Sequence, residues 1–180
     1  VLNTTVLGSS TRSFNFTGLS DGLYYYNVTV HDSVANVNFT STRSIKLDTT
    51  NPIVAGFTVT DTDRIVKSTD SMNFSATVTD ASGSGLSSVV MNGTTLNQSG
   101  TTYWTVNTTA AAGMCPTNGA CIFTIIATDA ASNVNNSESV TLTIDSLVPS
   151  IDYAGGTTAS GQNVSRNWIY VNASITEANP

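Results

Sequence analysis

The chain has 180 residues, of which 39% are hydrophobic and only 10% charged, with a net charge of −6. That length holds one or two domains. Six Lys and Arg against twelve Asp and Glu leave no basic patch for nucleic acid, and there is no run of about 18 apolar residues to span a membrane. Ser and Thr, 53 residues in all, supply the polar surface that charge supplies elsewhere. No secretory signal is visible at Val1, where the chain begins mid-pattern.

The first strong element is YYYNVTV at 24–30. Its alternation puts Tyr24, Tyr26, Val28 and Val30 on one face and predicts a half-buried strand. His31, the single histidine, follows with outward parity beside Asp32. Catalysis would need a nucleophile and an oriented base around it, and no such motif is present, so a solvent-facing strand end is expected. RSIKL at 43–47 alternates next, and the joint Asp48-Thr49-Thr50-Asn51-Pro52 follows, stiffened by a proline that cannot continue a central strand. SMNFSATVTD at 71–80 turns Met72, Phe74, Ala76 and Val78 inward and closes on an acidic residue.

From His31 onward the chain is written twice. HDSVANVNFTSTRSIKLDTTNP at 31–52 aligns without a gap on TDAASNVNNSESVTLTIDSLVP at 128–149. The same offset places the strand 24–30 on Cys121, Phe123, Ile125 and Ala127, and 71–80 on WIYVNASITE at 168–177. Met72, Phe74, Ala76 and Val78 then meet Ile169, Val171, Ala173 and Ile175. A slip of one residue would turn every apolar side chain outward, so the agreement of inward faces is a demanding test. Trp104-Thr105-Val106-Asn107 aligns on Phe14-Asn15-Phe16-Thr17 only if about seven residues are added to the later copy, among them Met114, Cys115 and Pro116. A disulfide between Cys115 and Cys121 would pin that longer loop to the start of its strand and be worth about 2 kcal/mol; a pair of free thiols is the alternative. Two cysteines are too few for a structural zinc site.

The unit has about seven strands in 90–97 residues with turn signals between them, the size and rhythm of an immunoglobulin-like sandwich. The pattern V-x-D-x-x-x-N, an alternating strand, then D-x-x-x-P is filled by Asp32, Asn36, Asp48 and Pro52, and again by Asp129, Asn133, Asp145 and Pro149. It resembles the end of the bacterial and archaeal Ig-like (Big-type) repeats of large cell-surface proteins, and GSGLSSVVMNG at 83–93 resembles their middle strand region. The likeness covers almost the whole chain. The family places Gly before the turn Asn, where Ala35 and Ser132 stand here. The resemblance implies extracellular spacers, stalks, surface layers or fibres, and no chemistry. The sequon-rich, Lys-poor style is more similar to archaeal surface proteins than to bacterial ones.

Eleven Asn-x-Ser/Thr sequons are present, at Asn3, Asn15, Asn27, Asn38, Asn73, Asn92, Asn97, Asn107, Asn135, Asn163 and Asn172. The composition alone gives about five, so N-linked glycans are expected on a protein outside the cell. Asp61 with Asp63, Asp32 with Asn36 and Asn38, and Asp129 with Asn133 and Asn135 could offer oxygens to a structural calcium ion, though Asp and Asn favour turns without any metal. No other cofactor is expected. Lys46 has outward parity, which argues against an isopeptide crosslink. Trp104, Trp168, Tyr24 and Tyr26 are expected in the core rather than on a sugar-binding platform.

The expected fold is all-β: tandem immunoglobulin-like sandwiches, one complete (50–146) and two partial, the later half of a unit at 1–49 and the early half of another at 147–180. The expected role is structural, not enzymatic: a glycosylated fibre or stalk at the cell surface. Its partners are neighbouring Ig-like domains of the same or an adjacent identical chain: the half units are read as a window of a longer tandem array, which the roughly six or seven residues missing on joining Pro180 to Val1 favour, or as a head completed by the tail of the next copy. An adhesin binding a partner cell or glycan, or spacers of a larger secreted enzyme, are the alternatives. The half units should expose apolar faces and open strand edges.

Overall fold

A computed structural model describes residues 13–81, 83–105, 108–110 and 115–177. Among these residues the protein is all-β, without helix. β1 (Gly22–Tyr26), β2 (Thr29–His31), β3 (Val37–Phe39) and β4 (Arg43–Leu47) precede the first joint. β5 (Ile53–Val59), β6 (Ile65–Val66), β7 (Ser71–Met72), β8 (Phe74–Thr79), β9 (Leu86–Met91), β10 (Thr94–Thr95), β11 (Asn97–Ser99), β12 (Thr102–Trp104), β13 (Thr108–Thr109), β14 (Gly119–Asp129), β15 (Val134–Asn135) and β16 (Ser139–Ile144) lie between the joints. β17 (Ser150–Tyr153) and β18 (Ala173–Thr176) follow the second.

Two sheets dominate the middle of the chain. One has the order β11-β12-β8-β5; the other has the order β10-β9-β14-β16-β6, with β15 also paired to β14. β6 is parallel to β16, whereas β10 on β9, β11 on β12, β12 on β8, β13 on β7, and β15 and β16 on β14 pair antiparallel. The described residues form two compact units, one from those within 1–53, 79–88 and 127–135, the other from those within 54–78, 89–126 and 136–180. In the second, the inward residues of β8, β14 and β16 are buried together with Val54, Phe57, Met91, Leu96 and Tyr103. The Phe74 ring in β8 stands 4.6 Å from that of Phe123 in β14 and 6.0 Å from that of Phe57 in β5. Aromatic contact between the two sheets is consistent with a β-sandwich.

The sequence repeat is also a repeat of pairing. β1 meets β4 with Gly22 opposite Leu47, Tyr24 opposite Ile45 and Tyr26 opposite Arg43. β14 meets β16 with Gly119 opposite Ile144, Cys121 opposite Leu142 and Phe123 opposite Val140, the same register 97 residues on. Val30 faces Asn38 across β2 and β3 as Ala127 faces Asn135 across β14 and β15. One difference is local. β14 is continuous over 11 residues, whereas its counterpart breaks after Tyr26. There the Val28 N–H donates to the Thr40 hydroxyl at 3.0 Å instead of a ladder carbonyl.

Burial separates the copies. Phe123, Ile125 and Leu142 are 0% exposed, while their counterparts Tyr26, Val28 and Ile45 are 48–50% exposed. Phe74 and Val78 are 0% exposed against 63% for Val171 and 66% for Ile175. The aromatic expectation needs correction. Tyr103, not Trp104, enters the core, because Tyr103 and Thr105 share the inward parity and leave Trp104 half-buried. Tyr26 is exposed, and so is Trp168, whose ring carries the Arg166 guanidinium 4.2 Å above it. Tyr24 is partly covered, its hydroxyl donating to the Ser20 carbonyl at 2.8 Å.

Candidate functional site

A dense polar constellation surrounds the first joint, inside the first compact unit. It begins with a turn that occurs twice. In 32–36 the Asp32 N–H donates to the Asn36 carbonyl at 3.1 Å, and the Asn36 N–H and Nδ2 donate to the Asp32 carboxylate at 2.8 and 2.6 Å. In 129–133 the corresponding distances are 3.1, 2.8 and 2.8 Å. The residue before each Asn, Ala35 or Ser132, sits at a φ of 66° or 73°, the left-handed region that favours glycine. Both positions therefore hold a glycine-like backbone conformation without a glycine. Capture of two donors by one carboxylate fixes a geometry the residue itself resists.

The second turn ties the joint. Asn133 Nδ2 also donates to the Asp48 carbonyl at 3.1 Å, and Asn135 Nδ2 donates to that of Pro52 at 2.8 Å. Asp48 at the end of β4, Asp80 after β8 and Asp129 at the end of β14 bring one carboxylate oxygen each within 4.8 Å of the others. Asp129 and Asp48 are buried and Asp80 is half-buried. Such proximity of like charge is costly without compensation. Asp48 accepts the Thr50 and Ser84 N–H groups, Asp80 accepts Gly85 N–H at 2.7 Å, and Asp129 is held by Asn133. Lys46 brings its ammonium into the same loop through the Gly83 carbonyl. The Ser84 hydroxyl and N–H, with a smaller contribution from Lys46, hold the Asp48 carboxyl below its usual value. A Cβ on Gly83 would collide with the Asp80 carboxylate, which explains glycine there.

The three aspartates could enter the shell of a hard cation, which takes six to eight oxygens. Sequence reasoning grouped Asp129 with its own turn instead of with Asp48 and Asp80. The available signal was that all three end a strand beside the joint. The other carboxylates named as possible calcium ligands accept hydrogen bonds from the chain. Asp61 and Asp63 accept the Arg64 and Ile65 N–H groups at 2.8 and 3.0 Å. Their shared hydrogen bond raises Asp61, and the Ile65 N–H and that same bond lower Asp63. Asp32 is lowered by its Asn36 partner. His31 ends β2 exposed, and Asp32 beside it is spent on the turn.

A second clasp also repeats. Asp21 accepts the Thr49 N–H at 2.9 Å and the Thr50 hydroxyl at 2.7 Å, bonds that lower its carboxyl. Its counterpart Asn118 accepts the Ser146 N–H at 2.8 Å. Cys115 and Cys121 form a disulfide with a Cα–Cα distance of 5.4 Å, at the strand start where the earlier copy has the Tyr24 hydroxyl bond.

The sequons fall into two groups. Asn15, Asn27, Asn38, Asn73, Asn97 and Asn163 are exposed; Asn92, Asn135 and Asn172 are half-buried. Asn92 bridges strands, its Nδ2 donating to the Ile122 carbonyl at 3.1 Å and its Oδ1 accepting the Thr124 N–H at 3.0 Å. Asn172 Nδ2 donates to the Gly155 carbonyl at 3.2 Å. Asn3 and Asn107 lie outside the described residues. No protein-family model matches the chain, and no curated protein matches it.

Proposed function

We propose that the chain is a structural element of an extracellular, N-glycosylated fibre or stalk built from immunoglobulin-like sandwiches in tandem. The observation that carries this reading is the recurrence of one strand register, one joint turn and one clasp at a fixed offset. A unit restated to the level of single hydrogen bonds, with only a short proline joint between copies, is a device for making length. The strand orders add support. With β5, β8, β9, β11, β12, β14 and β16 as strands A to G, the sheets are A-B-E-D and C-F-G, the arrangement of an immunoglobulin domain. Tyr24, at the start of the F-equivalent strand and bonded back to Ser20, occupies the place of a tyrosine corner. A disulfide and sequons on exposed positions fit an oxidising exterior.

Electron microscopy of the natively isolated protein tests the reading. β14, 11 residues at about 3.3 Å each, sets a bead of roughly 40 Å with its loops. Beads along a line at that spacing are expected; compact particles without a linear repeat would refute the fibre. Glycopeptide mass spectrometry tests the exterior location. Glycans are expected on Asn27, Asn38, Asn73 and Asn97, with Asn92 and Asn135 spared because their amides hold backbone carbonyls. A chain bare at every sequon would refute it.

A further inference from the structure

On the outward side of β1 an aromatic ring and a sequon asparagine share one face. The alternation that turns Tyr24 and Tyr26 to one side turns Tyr25, Asn27 and Thr29 to the other. Tyr25 is 69% exposed, as the outer surface of a sheet should be. Its counterpart between the joints, Ile122, is still 59% exposed although β9 and β16 flank its strand on both sides. Asn27 is exposed and follows Tyr25 by two residues, about 7 Å along an extended chain. At the exposed sequons Asn38, Asn73 and Asn97 the residue two places earlier is Asn36, Ser71 or Thr95, none of them aromatic. Asn172 does follow Tyr170, but that ring already lies against Gly156, where a Cβ would come within 3.1 Å of it, and the Asn172 amide is bonded to the Gly155 carbonyl. We propose that the first sugar of an N-glycan on Asn27 lays its C–H face on the Tyr25 ring, so that Tyr25 is a binding platform for the chain's own glycan.

The chemistry of the neighbours suits a pyranose, which has an apolar face of C–H groups and an edge of hydroxyls. Tyr25 offers a flat apolar surface whose negative ring face attracts C–H dipoles. Ser44, directly opposite Tyr25 on β4 and exposed, offers a hydroxyl to the edge. Asn27 Nδ2 donates to the Thr42 hydroxyl at 3.4 Å. Transfer from a sugar phosphate donor forms one C–N bond at Nδ2, breaks the donor's C–O bond and releases one amide proton with the phosphate. The nitrogen keeps its second hydrogen, so the bond to Thr42 survives and holds the linkage beside the strand. A tyrosine has only two side-chain torsions, which makes the platform cheap to order. The covalent tether turns stacking into an intramolecular event, so a contact too weak to capture a free sugar holds an attached one.

This rests on the glycosylated, exterior reading above, and the test separates the two. The natively glycosylated full-length chain is compared by NMR with Tyr25→Ser and Tyr25→Phe made in the same cells. Pyranose C–H signals of the Asn27 glycan should lie upfield and show cross-peaks to the ring protons in the native chain and in Tyr25→Phe, but not in Tyr25→Ser. The Asn73 glycan is the reference within the same chain. Nitration of Tyr25, read by peptide mass spectrometry, should run about two- to tenfold slower in the native chain than in Asn27→Gln, the factor that one aromatic contact is worth. Asn27 sugar signals like those of Asn73, an upfield shift that persists in Tyr25→Ser, or equal nitration rates would overturn the proposal. Asn27 bare while Asn73 is glycosylated would overturn it and leave the exterior reading standing; a chain bare at every sequon would remove both.

Discussion

Phe123 and Tyr26 hold the same position in the repeat, yet Phe123 is fully buried against Phe74 while Tyr26 is half exposed. Truncating each to Ala separates burial from pattern. For Phe123→Ala, loss of the transferred ring costs about 2 kcal/mol. A residual void of about 100 Å³ at ~24 cal/mol per Å³ adds about another 2 kcal/mol. At roughly 2–4 °C per kcal/mol for a chain of this size, the melting temperature should fall by about 8–16 °C. Tyr26→Ala removes a ring that water already reaches, and at micromolar dilution should cost less than about 1 kcal/mol. Thermal melts by circular dichroism, with urea midpoints as a second measure, read both variants side by side. Equal losses would refute the reasoning, because they would place Tyr26 in a packed core within a single chain.

Ser132 sits at a φ of 73°, so Ser132→Gly relieves left-handed strain and should raise the urea midpoint by the equivalent of about 0.5–1 kcal/mol; a lower midpoint would show the turn is held by its side chain. Reducing the Cys115–Cys121 ring, or Cys115→Ser, should lower stability by about 2 kcal/mol, read as a fall of roughly 4–8 °C in Tm; an unchanged Tm would remove its structural role. Asp21, Asp32 and Asp48 are held below the usual carboxylate range by hydrogen bonds. A depressed folded value means their stabilisation is complete above the unfolded value of about 4 and is lost as pH falls through the folded one. Tm should therefore hold steady from neutral pH to about 4 and drop below it, with a shallower acid limb in Asp48→Asn; a Tm that rises on acidification would contradict the sign.

The strands and faces were legible because alternation with period two is a local signal, and the repeat doubled it. Val28 against Ile125 and Val171 against Phe74 fixed parity twice over. The break after Tyr26 was not legible, since it depends on a hydroxyl twelve residues away competing for one N–H. Trp104 misled because a bulky ring invites a core assignment, whereas its neighbour Tyr103 has the inward parity. The Asp48, Asp80 and Asp129 cluster was hidden by distance along the chain: Asp129 lies 81 positions after Asp48, and the three stand at the ends of strands of three different sheets, β4, β8 and β14.

The unequal closures at one strand start have a mechanical consequence. Tyr24 ties its copy to Ser20 with a hydrogen bond, while Cys121 ties the next copy to Cys115 covalently. Under tension the first tie yields with its strand and releases all of its loop. The second keeps the loop of separation 6 out of the extended length even after its strands have parted. At about 3.5 Å per residue, less the span of the bridge, some 15 Å of slack stays locked until a reductant opens it. In the fibre proposed above, successive units would thus stretch to different lengths under the same pull, and redox conditions would set the difference.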